Sequence, residues 1–184
     1  MKMKKLSPTE PCFNLVFSVE IPPSIPTSKI EKKLRQKLGF RTKLIAENIV
    51  QMKISVELSK AKEIIEQFKS AINEIANELP SNSIICSEYW FIVKNMECIC
   101  RNGVKVNDRI FCIIEFNGKY ARIYCNNVEN YVSIKFFSKK PSLNVDPVQV
   151  PATVFTHCTE ISRINTIVEI ILSDINTILS VIEK

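Results

Sequence analysis

The sequence predicts an α+β protein: an antiparallel sheet of about six to eight strands, packed by two helices from the N-terminal half and one long C-terminal helix. Three observations predict this class. Hydrophobicity alternates with period two over residues 13–21, 49–58 and much of 83–140. Helical spacing of apolar residues occupies 29–38, 59–79 and 159–183. Asn117-Gly118 sits between two alternating runs, RIFCIIEF and KYARIYC, which is a type I′ hairpin signal.

The elements follow in chain order. FNLVFSVEI places Phe13, Leu15, Phe17, Val19 and Ile21 on one face, so a half-buried strand is expected, ended by PPSIP. Ser28 and Glu31 have capping-box spacing, which starts a helix running to about Leu38, with Gly39 placed to stop it. Val50, Met52, Ile54, Val56 and Leu58 alternate with polar residues as a second strand. Ser59 opens a helix whose Ile64, Ile65, Phe68, Ile72, Ile75 and Leu79 form a core stripe, closed by Pro80. ICSEYWFIV and MECIC read as one long strand or a short hairpin. In the Asn117-Gly118 hairpin Phe116 faces Lys119, Ile114 faces Ala121 and Cys112 faces Ile123. YVSIKFFSKK follows as a strand, three prolines mark a loop over 141–151, and a long helix covers 159–183.

One α+β domain is expected over 1–184, with a sub-boundary near 80–83 as the alternative and a flexible basic tail over 1–11. An apolar content of 46% and a charged content of 24% are those of a globular protein. The start, MKMKKLSPTEPCF, has no apolar run of signal-peptide length. Glu169, Asp174 and several polar residues interrupt the C-terminal apolar region, so no membrane span is expected. Seven cysteines, an odd number without a CxxC pair, read as free, buried residues of an intracellular protein, cytoplasmic or nuclear, in a reducing compartment.

The charge is unevenly placed. The chain carries 25 Lys+Arg and 19 Asp+Glu, a formal charge of +6. Residues 28–43, SKIEKKLRQKLGFRTK, hold Lys29, Lys32, Lys33, Arg35, Lys37, Arg41 and Lys43 against the lone Glu31, so the surplus of this stretch equals that of the whole chain. Ile30, Leu34 and Leu38 occupy one narrow side of the helix over 29–38, and the cations spread over the rest. A single-sign face of this kind suits phosphate binding, because each neutralised phosphate releases counterions. Lys2, Lys4 and Lys5 extend it if the N-terminus folds nearby. The competing reading is a solvated lysine-rich face.

A second candidate is the outer face of the hairpin. With Ile114 and Ile123 inward, Phe111, Tyr120, Arg122 and Tyr124 point the other way, and Tyr131, Lys135 and Phe137 continue that face on the next strand. Aromatic side chains interleaved with Arg and Lys can stack bases and hold phosphates. The competing reading is a face covered by a helix. The C-terminal stripe of Ile161, Ile164, Val168, Ile171, Ile175, Ile178 and Ile182 is read as core, with homo-oligomerisation through it as the alternative. Cys98, Cys100, His157 and Cys158 carry zinc-ligand chemistry, but Cys98 and Cys100 have strand spacing, so core cysteines are the first reading and zinc the second.

The order of elements in FNLVFSVEI, SKIEKKLRQKL and MKISVELSKAKEIIEQFKSAINEI resembles the small dimerising subunit of the KEOPS tRNA-modifying complex. The whole-chain order, ending in a long helix after a meander, resembles helix-grip proteins that hold apolar ligands. Both resemblances concern architecture and transfer no motif residue.

The catalytic inventory is poor: one histidine, His157, three aspartates, Asp108, Asp146 and Asp174, and no phosphate loop, GxSxG or HExxH. No cofactor is expected. The sequence therefore reads as a non-catalytic binding protein, associated with RNA or DNA or part of a nucleic-acid-handling complex. The alternatives are an adaptor that oligomerises or docks an acidic protein surface, and a carrier of an apolar ligand.

Overall fold

A computed structural model describes residues 11–40, 42–94, 98, 100–116, 118–137, 140 and 157–182. The chain forms β1 (Cys12–Glu20), α1 (Thr27–Leu38), β2 (Thr42–Ala46), β3 (Ile49–Glu57), α2 (Ala61–Ala76), β4 (Ile84–Lys94), β5 (Val104–Val106), β6 (Arg109–Phe116), β7 (Lys119–Asn126), β8 (Tyr131–Phe137), β9 (His157–Glu160) and α3 (Ile164–Ile182). The fold is α+β, as the alternating runs require, with an antiparallel sheet and three helices among the described residues. Contacts divide the chain into a helical unit, Asn14–Tyr89 with Val154–Lys184, and a strand unit, Met1–Phe13 with Trp90–Thr153. No helix of the described residues is long and apolar enough to cross a membrane.

In the helical unit the order β1-α1-β2-β3-α2-β4, with strands arranged β2-β3-β1-β4, is a split βαβ pattern. α2 packs between α1 and α3. Its Phe68 meets Phe17 of β1 edge-on with ring centroids 4.8 Å apart, so the helix covers the face of β1 that carries Leu15, Phe17 and Val19. α1 contributes Ile30, Leu34 and Leu38, all buried. Burying each is worth about 1.5–3 kcal/mol. That packing holds α1 in place, since no side chain caps its N-terminus. Gly39 ends it in the left-handed conformation at φ 72°, its N–H donating to the Arg35 carbonyl. β9 pairs with the first half of β4, Cys86 opposite Cys158.

The strand unit runs β4-β8-β7-β6-β5, with β4 contributing its second half. The expected hairpin register holds: Phe116 pairs with Lys119, Ile114 with Ala121 and Cys112 with Ile123. Ala121, Ile123 and Cys125 of β7, Val132, Ile134 and Phe136 of β8, and Phe91 and Val93 of β4 are buried on one face. Phe91 links Phe13, at 5.5 Å, to Phe136, at 6.0 Å.

Several expectations are corrected. The Ser28/Glu31 capping box does not form: Glu31 Oε1 instead accepts hydrogen bonds from Arg35 and, across the loop, from Thr42. α2 starts at Ala61 after a 3₁₀ turn over Leu58–Lys60. The helix expected from residue 159 begins at Ile164, because His157–Glu160 is a strand. β2 and β5 were not anticipated. Six of the seven cysteines are not free thiols; they pair as Cys86–Cys158, Cys98–Cys125 and Cys100–Cys112. The odd count had hidden this, since Cys12 alone lies outside the three bonds. Residues 1–10 of the basic tail expected over 1–11, the loop over 141–151, Arg41 and Asn117 lie outside the described residues.

Candidate nucleic-acid interface

The period of two sets the geometry of the strand-unit surface. The pairings Phe111↔Tyr124↔Ser133 and Ile113↔Arg122↔Lys135, with Glu115↔Tyr120↔Phe137 and Arg109↔Asn126↔Tyr131, place these residues on the face opposite the buried one. Tyr120, Arg122 and Tyr124 therefore share one side of β7, flanked by Phe111 on β6 and Tyr131, Lys135 and Phe137 on β8, as their spacing implies. All are half-buried. Among its described residues the strand unit contains no helix.

The aromatic rings form a chain. Phe111 meets Tyr124 edge-on at 4.9 Å, and Tyr124 lies 5.9 Å from Tyr131. Cations sit over the rings: Arg122 is 5.1 Å and Lys135 5.5 Å from the Phe137 centroid, and Arg109 is 5.7 Å from that of Tyr124. These separations fall within the range of cation–π attraction, which holds the guanidinium planes against the sheet. Burial and a hydrogen bond with Tyr131 push the Tyr124 hydroxyl above its ordinary pKa, so it stays neutral. Arg109 and Lys94 were missed in the sequence; the signal was their parity with Phe111 and with Tyr131, which Lys94 faces across β4 and β8.

The basic helix belongs to the helical unit and looks different once α2 is beside it. Lys29, Lys33 and Lys37, one turn apart, face Glu78 and Glu74 of the α2 side. Lys33 bonds Glu78, Lys29 lies 3.8 Å from the same carboxylate, and Lys37 Nζ is 2.9 Å from Glu74 Oε2. The Lys33 hydrogen bond, assisted by the charges of both lysines, holds the Glu78 carboxyl below its ordinary pKa. Arg35 pairs with Glu31 at 2.8 Å. Lys32 is exposed and has no carboxylate partner among the described residues. The side chain of Lys43 lies outside the described residues.

The other candidates resolve as follows. Ile161, Ile164, Val168, Ile171, Ile175 and Ile178 are all buried within the chain, as core, which leaves none of them on a surface for self-association. A shallow depression on α3 is lined by Glu169, Leu172, Ser173, Asn176, Thr177 and Ser180. Cys98 and Cys100 bond to Cys125 and Cys112 in the strand unit, whereas Cys158 bonds to Cys86 in the helical unit. Buried Asp174 of α3 accepts a hydrogen bond from Tyr89 of β4.

No protein family matches the chain, and no curated protein is similar to it. Two solved structures show a weak likeness to it. One is the Argonaute of Marinitoga piezophila in complex with a 5′-OH guide RNA, at 6% identity and a TM-score of 0.20, covering 70% of this chain and 23% of the Argonaute. The other is the regulatory subunit of aspartate kinase from Thermus thermophilus, at 12% identity and a TM-score of 0.23, covering 71% of this chain and 84% of that one. At these scores neither likeness bears on function.

Proposed function

We propose that the protein is a non-catalytic binder of single-stranded nucleic acid, RNA or DNA, and that the β6–β7–β8 face is its principal contact surface. One observation carries the reading: Phe111, Tyr120, Tyr124, Tyr131 and Phe137 stand on one half-exposed sheet face, interleaved with Arg109, Arg122 and Lys135. Rings give sequence-tolerant stacking, and the cations meet the phosphates between stacked bases. α1 takes a smaller part than its composition suggests, because Lys29, Lys33, Arg35 and Lys37 are already matched by carboxylates. Lys32 is its remaining phosphate contact.

The test is fluorescence anisotropy of a mixed-sequence single-stranded oligonucleotide across a salt series. Three neutralised phosphates give a log–log slope of about −2 on single strands. Stacking is worth about 1–3 kcal/mol per base, so Tyr120→Ala and Tyr124→Ala each weaken binding by roughly 5- to 150-fold. Arg122→Glu flattens the slope, and Lys32→Glu has a smaller effect. If native protein does not bind, or if Lys32→Glu abolishes binding while the tyrosine variants bind normally, the sheet face is not the site. Retention of an acidic protein in place of the oligonucleotide would favour the adaptor reading.

A further inference from the structure

Four cysteines from three separate segments meet over the buried face of the strand unit. Cys112 and Cys125 project from adjacent strands on that face, and Cys98 and Cys100 come down onto them from the segment after β4. The Sγ atoms of Cys98, Cys100 and Cys125 all lie within 4.8 Å of one another, and Cys112 joins this group through its bond to Cys100. In the structure they are joined as Cys98–Cys125 and Cys100–Cys112, with Cα separations of 5.6 and 5.8 Å. Cys125 is buried and the other three are half-buried, so water has little access.

We propose that these four residues are a Cys₄ zinc site when the chain is reduced. Four thiolates at about 2.3 Å from a tetrahedral zinc ion stand roughly 3.8 Å from one another, a spacing the existing cluster reaches by side-chain rotation. The loop that delivers Cys100 is fitted for close approach. A Cβ on Gly103 would lie 2.5 Å from Ile110 Cγ2 and 2.7 Å from the Phe111 carbonyl oxygen, so only glycine lets the backbone return against β6. The strand unit, with no helix among its described residues, gains from a staple, and either two disulfides or one metal ion provides it. The pairs suit an oxidising compartment, and the metal a reducing one.

The conversion balances. Each disulfide accepts two electrons and two protons from a dithiol, which leaves as its own cyclic disulfide. The four cysteine thiols then give up four protons to solvent as their thiolates bind one Zn²⁺, leaving a centre of net charge −2. Cys86 and Cys158 are reduced with them but take no part, because they face each other across β4 and β9 and offer only two thiols.

The full chain, reduced with excess dithiol and desalted without oxygen, is titrated with Co²⁺ and then Zn²⁺. The expected result is one cobalt ion per chain, with sulfur-to-cobalt charge-transfer absorption and the visible bands of a tetrahedral four-thiolate site, bleached by one equivalent of Zn²⁺. Cys86→Ser combined with Cys158→Ser keeps the same stoichiometry and spectrum, while Cys112→Ser and Cys125→Ser lose the four-thiolate bands. Alkylation of the native sequence reads the same site without a variant: Zn²⁺ protects Cys98, Cys100, Cys112 and Cys125 and leaves Cys86 and Cys158 reactive. Failure of the reduced chain to take up cobalt or zinc overturns the proposal. So does protection of any other set of cysteines.

Discussion

Tyr89 and Asp174 make the sharpest stability prediction. Both are almost fully buried, at 3% and 2% exposure, and the tyrosine hydroxyl donates to Asp174 Oδ2. A hydrogen bond to a charged group contributes about 1.5–3 kcal/mol, and its loss leaves a buried carboxylate short of a donor. Tyr89→Phe removes that donor with almost no change in volume, so the expected loss is about 1.5–3 kcal/mol. For a chain of this length that corresponds to a Tm lower by roughly 3–12 °C. Asp174→Asn keeps an acceptor and removes the charge, so it costs less than Tyr89→Phe. A double-mutant cycle then isolates the pair. The same pair predicts an alkaline limb. Burial first, and then the Asp174 charge and hydrogen bond, push the Tyr89 hydroxyl far above its ordinary pKa of 10.0. The unfolded chain ionises there while the folded one keeps its proton, so this contribution is whole below about pH 10 and declines as pH rises beyond it. Urea denaturation followed by far-ultraviolet circular dichroism measures both effects. A Tyr89→Phe loss under about 0.5 kcal/mol, with an unchanged alkaline limb, would refute the assigned role of the hydroxyl.

Gly103→Ala should destabilise the strand unit by about 1–3 kcal/mol, because one of the two atoms its Cβ would approach within 3.0 Å is a backbone carbonyl that cannot rotate away; a melt under oxidising conditions checks this, and an unchanged Tm would count against the close approach. For Glu78, the depressed carboxyl predicts stability that is present above its ordinary pKa of 4.5 and lost as pH falls through the lower folded value. Acid titration of the native chain beside Glu78→Gln should show the native chain losing its advantage across that window, whereas parallel curves would show that Lys33 and Lys29 do not hold the carboxylate.

What was legible in the sequence was local. The hairpin register followed from Asn117-Gly118 and strict alternation, and with it the shared face of Tyr120, Arg122 and Tyr124. The buried side of α1 followed from the spacing of Ile30, Leu34 and Leu38. β2 was missed because TKLIA does not alternate, β5 because it has three residues, and β9 because HCTE runs without a break into the residues before α3. The cysteine partners are 72, 27 and 12 residues apart, and no local pattern announces which thiols the topology brings together. The acids facing α1 were equally hidden. Glu74 and Glu78 read as ordinary helix exteriors until α2 is laid beside α1.

That last arrangement changes what the lysine helix projects into solution. Three cations opposed at close range by two carboxylates leave a net charge of one, so most of their field is reduced to that of dipoles. Such a field fades over distance faster than that of an unopposed row, before ionic screening adds its own decay over about 8 Å. The helix is therefore a poor beacon for an approaching polyanion, whatever its composition. A partner that captures these lysines must first compete for them with Glu74 and Glu78, an exchange of one carboxylate or phosphate for another that releases little free energy. Capture from long range falls to cations elsewhere on the chain, and the α1–α2 seam keeps its charges for internal use.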